Sequence, residues 1–221
     1  MASTFFGLHI GSSALSSFQV ATNTTANNIA NVKTTGYTRQ AATLQAKDAI
    51  NVTARYGSVG TGVTVTSIKQ QRDLYYDNKY WENNSCYGRY EQKLYYMEQI
   101  QNYFKDNGSS VKGFSTVFSQ MFSDLDTLRS KPSDKTVRNQ FISSAQSLCT
   151  YFNQMSDNLS KLQDDCNEEI KNNVDEINSI SEKISLLNKE INQIETGTGV
   201  EASSLRDERA NLTDSLSKIV N

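Results

Sequence analysis

A single apolar rhythm limits what this chain can fold into. Leu148, Phe152, Met155, Leu159, Leu162 and Cys166 alternate steps of four and three, Cys166, Ile170 and Val174 follow in fours, and Ile177, Ile180, Ile184, Leu187, Ile191 and Ile194 resume the alternation. Such steps keep residues on one face of an α-helix, and consecutive fours unwind the heptad locally. From Pro132 and Ser133 to Ile194 the rhythm predicts one helix of about 60 residues, roughly 90 Å at 1.5 Å per residue. A compact domain of 221 residues is not that long, so a rod is expected. Pro132 is the only proline, against a usual share of about 5%. Proline breaks helix interiors, so its scarcity permits long helices.

The rest of the chain shows the same habit. From Thr4 to Val32, the positions Leu8, Gly11, Leu15, Phe18, Thr22, Thr25, Ile29 and Val32 form one helical stripe. Several members are small or polar, so the helix buries little area and needs partners. Thr34-Thr35-Gly36 interrupts it. Between Tyr37 and Ile68, alternation at 63–66 and glycines 57, 60 and 62 predict two or three short strands joined by turns. A second helix is expected from Gln71 to Lys105, with Tyr76, Tyr80, Asn83, Tyr87, Tyr90, Leu94, Met97, Gln101 and Phe104 on its stripe and Asn107-Gly108 as its stop. A third covers Val111 to Ser130, through Phe114, Phe118, Met121, Leu125 and Leu128. Ser133 is the expected N-cap of the long helix, with Asp134 in its first turn. After Gly197 and Gly199, a last helix carries Leu205, Leu212, Leu216 and Ile219; so short a loop implies an antiparallel pair. The chain stops at Asn221 within this pattern, as a fragment boundary would.

The expected fold is therefore mostly α: an elongated antiparallel bundle of long helices, a coiled-coil rod, with a small β-hairpin region after the first helix. Its divisions are an N-terminal helix (1–36), an extended connector (37–70) and a helical block (71–221).

Charge and composition exclude several functions. The net charge is −2, so no broad basic field favours nucleic acid or an anionic membrane. No stretch approaches the roughly 20 apolar residues of a membrane span, and the N-terminus lacks the basic and apolar regions of a signal peptide. Cys86, Cys149 and Cys166 have neither disulfide-framework nor metal spacing and read as small buried apolar residues.

Site chemistry is sparse. His9 is the sole histidine, with no acid or cysteine near it in sequence, so a solvated or interfacial role is expected. Gly57-Ser58-Val59-Gly60-Thr61-Gly62 lacks the lysine ending of a phosphate loop and reads as turns. Asp164-Asp165 and Glu168-Glu169 fall between stripe positions and should point into solvent rather than do acid–base work. Arg206-Asp207-Glu208-Arg209 mixes signs within one turn, which suits ion pairs along the helix. The tyrosine stripe reads as a packing surface rather than a stacking platform for a ligand. The chain thus reads as non-enzymatic, with no cofactor and no metal.

One segment adds a family. Ala26 to Gln40, ANNIANVKTTGYTRQ, resembles the signature shared by flagellar rod, hook and hook-associated axial proteins. Thr38-Arg39-Gln40 resembles the hook-associated protein 1 version of it. So do Gly60 to Ile68 with Arg72-Asp73, KPSDKTVRNQF with SAQSL, and SLRDERANLTDSLSKIV. Thr35 stands where the family usually carries proline; Gly36 remains, so the helix keeps its stop.

The resemblance implies a secreted structural subunit of the bacterial flagellum, an adaptor at the hook–filament junction serving motility. It implies self-association in a ring or helical layer, contact with hook protein and with a second junction protein or filament, and an export chaperone and type III export machinery. Nucleic acid and membrane insertion are not expected. Outer domains and a C-terminal helix, which family members carry, are absent from this chain. The assembly residues expected from the signature and the first stripe are Leu8, Leu15, Phe18, Asn28, Ile29, Asn31, Gly36, Tyr37 and Arg39. The rival readings are another rod or hook subunit, or an axial-family enzyme acting on peptidoglycan.

Overall fold

The computed structural model describes residues 5–51, 57–106 and 113–220. The order of elements among them is α1 (Phe6–Ala30), β1 (Gln40–Ala46), β2 (Ile50–Asn51), β3 (Ser58–Val59), β4 (Val63–Gln70), α2 (Leu74–Tyr103), α3 (Phe114–Ser130), α4 (Lys135–Thr198) and α5 (Ser203–Ile219). The expected mostly helical fold with a hairpin region after the first helix is what forms. The Thr4 start of the first helix, the Asn107-Gly108 stop and the Val111 start of the third lie outside the described residues. Helix α4 has 64 residues. Asp134, rather than Ser133, caps it: the Thr136 N–H donates to the Asp134 carboxylate at 2.8 Å. Asp134 directly precedes the first helical residue, where a side-chain oxygen reaches the second free N–H. Asp73 does the same for α2, accepting from the Tyr75 N–H at 2.9 Å.

The chain forms two compact units, one of residues 1–85 with 177–221 and one of residues 86–176. In the first, β1 and β4 pair antiparallel from Gln40↔Gln70 to Ala46↔Val63, with a bulge between Thr43 and Leu44. β2 and β3 form a second short antiparallel ladder. The α4–α5 pair is antiparallel, as its cross-links show: Arg206 grips Glu195 with two bonds of 2.7 and 2.8 Å, and Arg209 donates to Asn188 at 2.9 Å. The mixed-sign run of α5 therefore reaches outward to α4 instead of pairing along its own helix. The apolar core here is Ile180, Leu187 and Ile191 of α4 with Ala210 of α5.

The other side of α5 is polar and also covered. Asp207 accepts from the Gln70 amide at 2.8 Å, Asp214 from the Trp81 indole at 2.7 Å, and Ser217 from Asn84 at 2.9 Å. Asp207 and Ser217 are buried. Buried polar groups persist where partners satisfy them.

In the second unit, α3 and the start of α4 form an antiparallel hairpin around Pro132. Phe114 lies near Tyr151 and Phe152, with ring centroids 6.4 and 6.0 Å apart. Helix α2 meets α4 through Glu169, which accepts from Gln92 at 2.7 Å and from the Tyr96 hydroxyl. The bond to Glu169 holds the Tyr96 hydroxyl well above the ordinary phenol range. Glu169 is thus an interhelical acceptor, not the solvated carboxylate its position between stripe residues suggested.

The apolar stripes do not all point inward. On α4, Phe152, Leu159, Ile170 and Val174 are exposed, while Tyr151, Asn158 and Glu169 sit half-buried one residue before Phe152, Leu159 and Ile170. The apolar arc is wider than its neighbours cover. On α3, Asp124 is buried while Leu125 is exposed. On α2 the whole expected stripe, Tyr76, Tyr80, Asn83, Tyr87, Tyr90, Leu94, Met97, Gln101 and Phe104, is exposed. Trp81 and Asn84 face α5 instead, because that side of α5 offers acceptors. Cys86 and Cys149 are exposed and Cys166 half-buried, not the three small core residues expected.

Two outcomes test this packing. Leu187 is 7% exposed and Leu186 is 52% exposed. Leu187→Ala should cost about 2–4 kcal/mol in urea unfolding, and Leu186→Ala less than about 0.5 kcal/mol. Hydrogen bonds from Arg206 and from the Ala202 N–H hold Glu195 down at about 2. Its contribution is fully present above the ordinary carboxylate pKa and is lost as pH falls through about 2. Glu195→Gln should therefore lower stability at neutral pH by about 1 kcal/mol or less. The gap to the unsubstituted chain should close as acid is added below the ordinary carboxylate range.

Candidate functional site

The residues expected to matter for assembly converge on α1 and the turn after it. Helix α1 meets the hairpin with a small, polar side. The Ser17 hydroxyl donates to the Val63 carbonyl at 3.2 Å, and Ser13 Oγ accepts from the Val63 N–H at 3.4 Å. Gly62, at φ +109°, makes this approach possible: a Cβ there would lie 2.2 Å from Ser13 Oγ. Ser17 and Thr24 are the buried residues of the helix, and Ile10, Ser13, Val20 and Asn28 share their side. Leu8, Leu15, Phe18 and Ile29 point elsewhere, about 140° round at about 100° per residue. Leu8 and Leu15 are each 70% exposed, and Phe18, Ile29 and Val32 are similarly open.

Asn28 organises the corner. Its Oδ1 accepts from the Tyr37 hydroxyl at 2.8 Å and from the Gln40 N–H at 2.9 Å. Its Nδ2 donates to the Gln40 carbonyl at 2.8 Å. The side-chain amide thus pairs with a backbone amide as a neighbouring strand would, tying the helix to the first residue of β1. Asn27 donates to the Tyr37 hydroxyl at 3.1 Å, and Asn31 donates back to Asn27 and accepts from Thr34. Gly36 turns the chain at φ +78°, against the side chain of Asn211 on α5, which a Cβ would meet at 1.7 Å.

Asn28, Ile29, Asn31, Tyr37 and Arg39 line one open groove of about 600 Å³ between the end of α1 and β1, with Ala21, Thr25, Val32 and Ala42. Its floor is largely apolar and its cation is Arg39, whose side chain is exposed while its carbonyl accepts from the Gln71 N–H at 2.8 Å. Leu8, Leu15 and Phe18 lie nearer the start of the helix, and Gly36 faces α5. Helix α5 escaped the sequence reading of this corner. Its polar residues Asp207, Asn211, Asp214 and Ser217 recur at helical spacing and look like a solvated face.

Among the described residues no cluster of three or more histidine, cysteine or acidic side chains could hold a metal ion. None of the helices searched is long and apolar enough to cross a membrane. His9 is exposed on α1. The glycine run 57–62, expected as turns, holds strand β3 at Ser58–Val59 and the Gly62 contact.

Removing the clamp is a direct test. Asn28→Ala leaves the Gln40 N–H and carbonyl without these partners and should cost about 1–3 kcal/mol. Hydrogen exchange at the Gln40 amide should rise more than tenfold, while exchange in residues 86–176 stays unchanged.

Comparison with known proteins adds the family. The family described as "Flagella basal body rod protein" matches residues 8–38, which are α1 and the corner. The family described as "Flagellar hook-associated protein FlgK helical domain" matches residues 97–221. A protein named flagellar hook-associated protein 1 from Bacillus subtilis is 33% identical over 225 residues, covering 100% of this chain and 44% of its own length. Proteins of that name from Salmonella typhimurium and Escherichia coli are 33% and 32% identical over 214 residues, covering 94% of this chain and 37% of their own. The chain therefore spans less than half the length of these relatives. With more than half of its residues matched by the helical-domain family, the chain belongs to the flagellar hook-associated protein FlgK family.

Proposed function

We propose that this chain is a structural, non-enzymatic subunit of the bacterial flagellum, exported to the hook–filament junction and held there by packing between subunits. The observation that carries this reading is the outward apolar side of α1. Leu8, Leu15, Phe18 and Ile29 gain nothing from the hairpin beneath them, and exposed apolar rows of this kind mark association surfaces. The Asn28–Tyr37–Gln40 clamp supports it by fixing the angle at which the helix leaves the hairpin. In this reading Asn28, Asn31, Gly36 and Tyr37 hold the helix in place, and Leu8, Leu15, Phe18, Ile29 and Arg39 make the contacts. Residues 1–36 are the assembly arm, 37–70 the connector and 71–221 the helical block. The partners are further copies in a ring or helical layer, the hook protein, and a second junction protein or the filament. An export chaperone and the type III export machinery would deliver it.

Leu15→Asp places a charge in the outward row without touching the hairpin. It should abolish swimming and leave hooks without filaments, while secondary structure of the purified chain is unchanged. Normal motility and intact junctions in that variant would overturn the proposal.

A further inference from the structure

The α3–α4 hairpin buries a carboxylate that its own residues leave half-satisfied. Asp124 is 7% exposed, although its neighbour Leu125 is 40% exposed. Packing alone would favour the reverse, because apolar area gains by leaving water and a charge loses. One carboxylate oxygen, Oδ1, accepts from the Gln120 amide at 3.0 Å. The other, Oδ2, is buried and has no hydrogen-bond partner among the described residues. None of the ion pairs among them involves Asp124. A carboxylate oxygen withdrawn from water without a donor loses its solvation outright.

Asp124 lines a cavity of about 160 Å³ with Thr127, one turn further along α3, and with Thr136, Val137 and Gln140 from the first turns of α4. Asp124 is buried, Val137 half-buried and the other three exposed. The carboxylate is therefore the inner wall, and three residues that carry oxygen acceptors stand at the rim. The Thr127 hydroxyl donates to the Ser123 carbonyl at 3.0 Å. That bond commits its proton and leaves its oxygen able to accept.

We infer that this cavity binds one monovalent metal cation, of the sodium or potassium class, on Asp124 Oδ2. Charge, donor type and size favour that occupant. A single positive charge balances the one carboxylate that lines the cavity, whereas a divalent ion would leave an uncompensated charge in a partly closed site. The lining holds no histidine or cysteine, the ligands that softer metals prefer. Its carboxylate, hydroxyl and amide oxygens suit hard cations. The volume holds the ion with a few waters at about 30 Å³ each. The helix ends do not oppose a cation. The last turn of α3 offers partly negative carbonyls, and the free N–H of Thr136 at the start of α4 is already met by the Asp134 carboxylate. The bound ion ties α3 to α4 beside the Pro132 corner.

Amide hydrogen exchange on the purified chain tests this. Sodium or potassium chloride is compared with tetramethylammonium chloride at a matched ionic strength of about 0.2 M, so that screening is equal. Oxygens cannot closely approach the methyl-covered cation of the last salt. Amides of residues 120–130 and 135–144 should exchange at least about threefold more slowly with the metal cations, as for a ligand at about twice its dissociation constant. Those of residues 177–219 should exchange equally in all three salts. Asp124→Asn keeps the shape, removes the charge and should abolish the difference. Thr136→Val removes one oxygen at an exposed position, so the fold stays intact by circular dichroism while the salt concentration for half the effect rises. This second variant decides the matter if Asp124→Asn unfolds the hairpin. The inference fails if the three salts give the same exchange, if a folded Asp124→Asn keeps the difference, or if Thr136→Val leaves the half-effect concentration unchanged. It also fails if only a divalent salt such as calcium chloride protects the hairpin.

Discussion

Helix α5 is bound from two directions, by α4 and by the hairpin with the start of α2, and the rest of its unit is arranged around it. Toward α4 it presents Arg206 and Arg209, which bond Glu195 and Asn188. Away from α4 it presents Asp207, Asn211, Asp214 and Ser217. These take hydrogen bonds from β4 and the start of α2, and fill the space over Gly36. The polar side is what makes the arrangement specific. Apolar surfaces tolerate sliding, whereas a buried carboxylate must meet its donor or lose the full desolvation cost. Gln70, Trp81 and Asn84 therefore set where the hairpin and α2 lie along α5, and through β1 and the Asn28 clamp they set where α1 lies.

The consequence is an unusual distribution of side chains. Where α1 meets its own chain it relies on serine, threonine and asparagine, and where α2 does so it uses the polar groups of Trp81, Asn84, Gln92 and Tyr96. The leucines of α1 and the tyrosine stripe of α2 are left outside. The clamp on α1 needs short side chains, because Ser13 and Ser17 must bring the helix backbone close to Val63. A leucine in either place would hold the two apart. The packing that fixes the monomer thus leaves the hydrophobic side chains free for association. The hydrophobic term scales with area removed from water, so these exposed rows hold most of the stabilisation still available to α1 and α2.

Helix positions were legible in the sequence because 3-4 periodicity and caps are local. The α1 break before Gly36, the corner at Pro132 and the α4–α5 turn at Gly199 stand where the residues put them, although Gly197 continues α4 instead of joining that turn. Orientation was not legible. The tyrosine stripe of α2 and the leucines of α1 have the same spacing as the buried Ile180–Leu187–Ile191 run, yet they face solvent. Spacing tells which residues share a face but not which face finds a partner. Glu169 failed for the same reason. A carboxylate between stripe positions looks solvated until a neighbouring helix brings a donor to it. Of the candidate site, Asn28, Gly36 and Tyr37 could be picked from the signature. Their actual partners, Gln40 and Asn211, could not, because Asn211 is 175 residues from Gly36 in sequence.

By itself, then, the sequence determined the helical class, the single long α4, the hairpin region and the family. Each of these is carried by short-range periodicity or by a contiguous motif. The tertiary structure decided which sides of those helices are inside. That choice depends on donors and acceptors brought together from distant segments. The small residues of α1 and the polar side of α5 are covered, and the apolar rows of α1 and α2 remain outside, because hydrogen bonds demand a fixed partner and apolar surface does not.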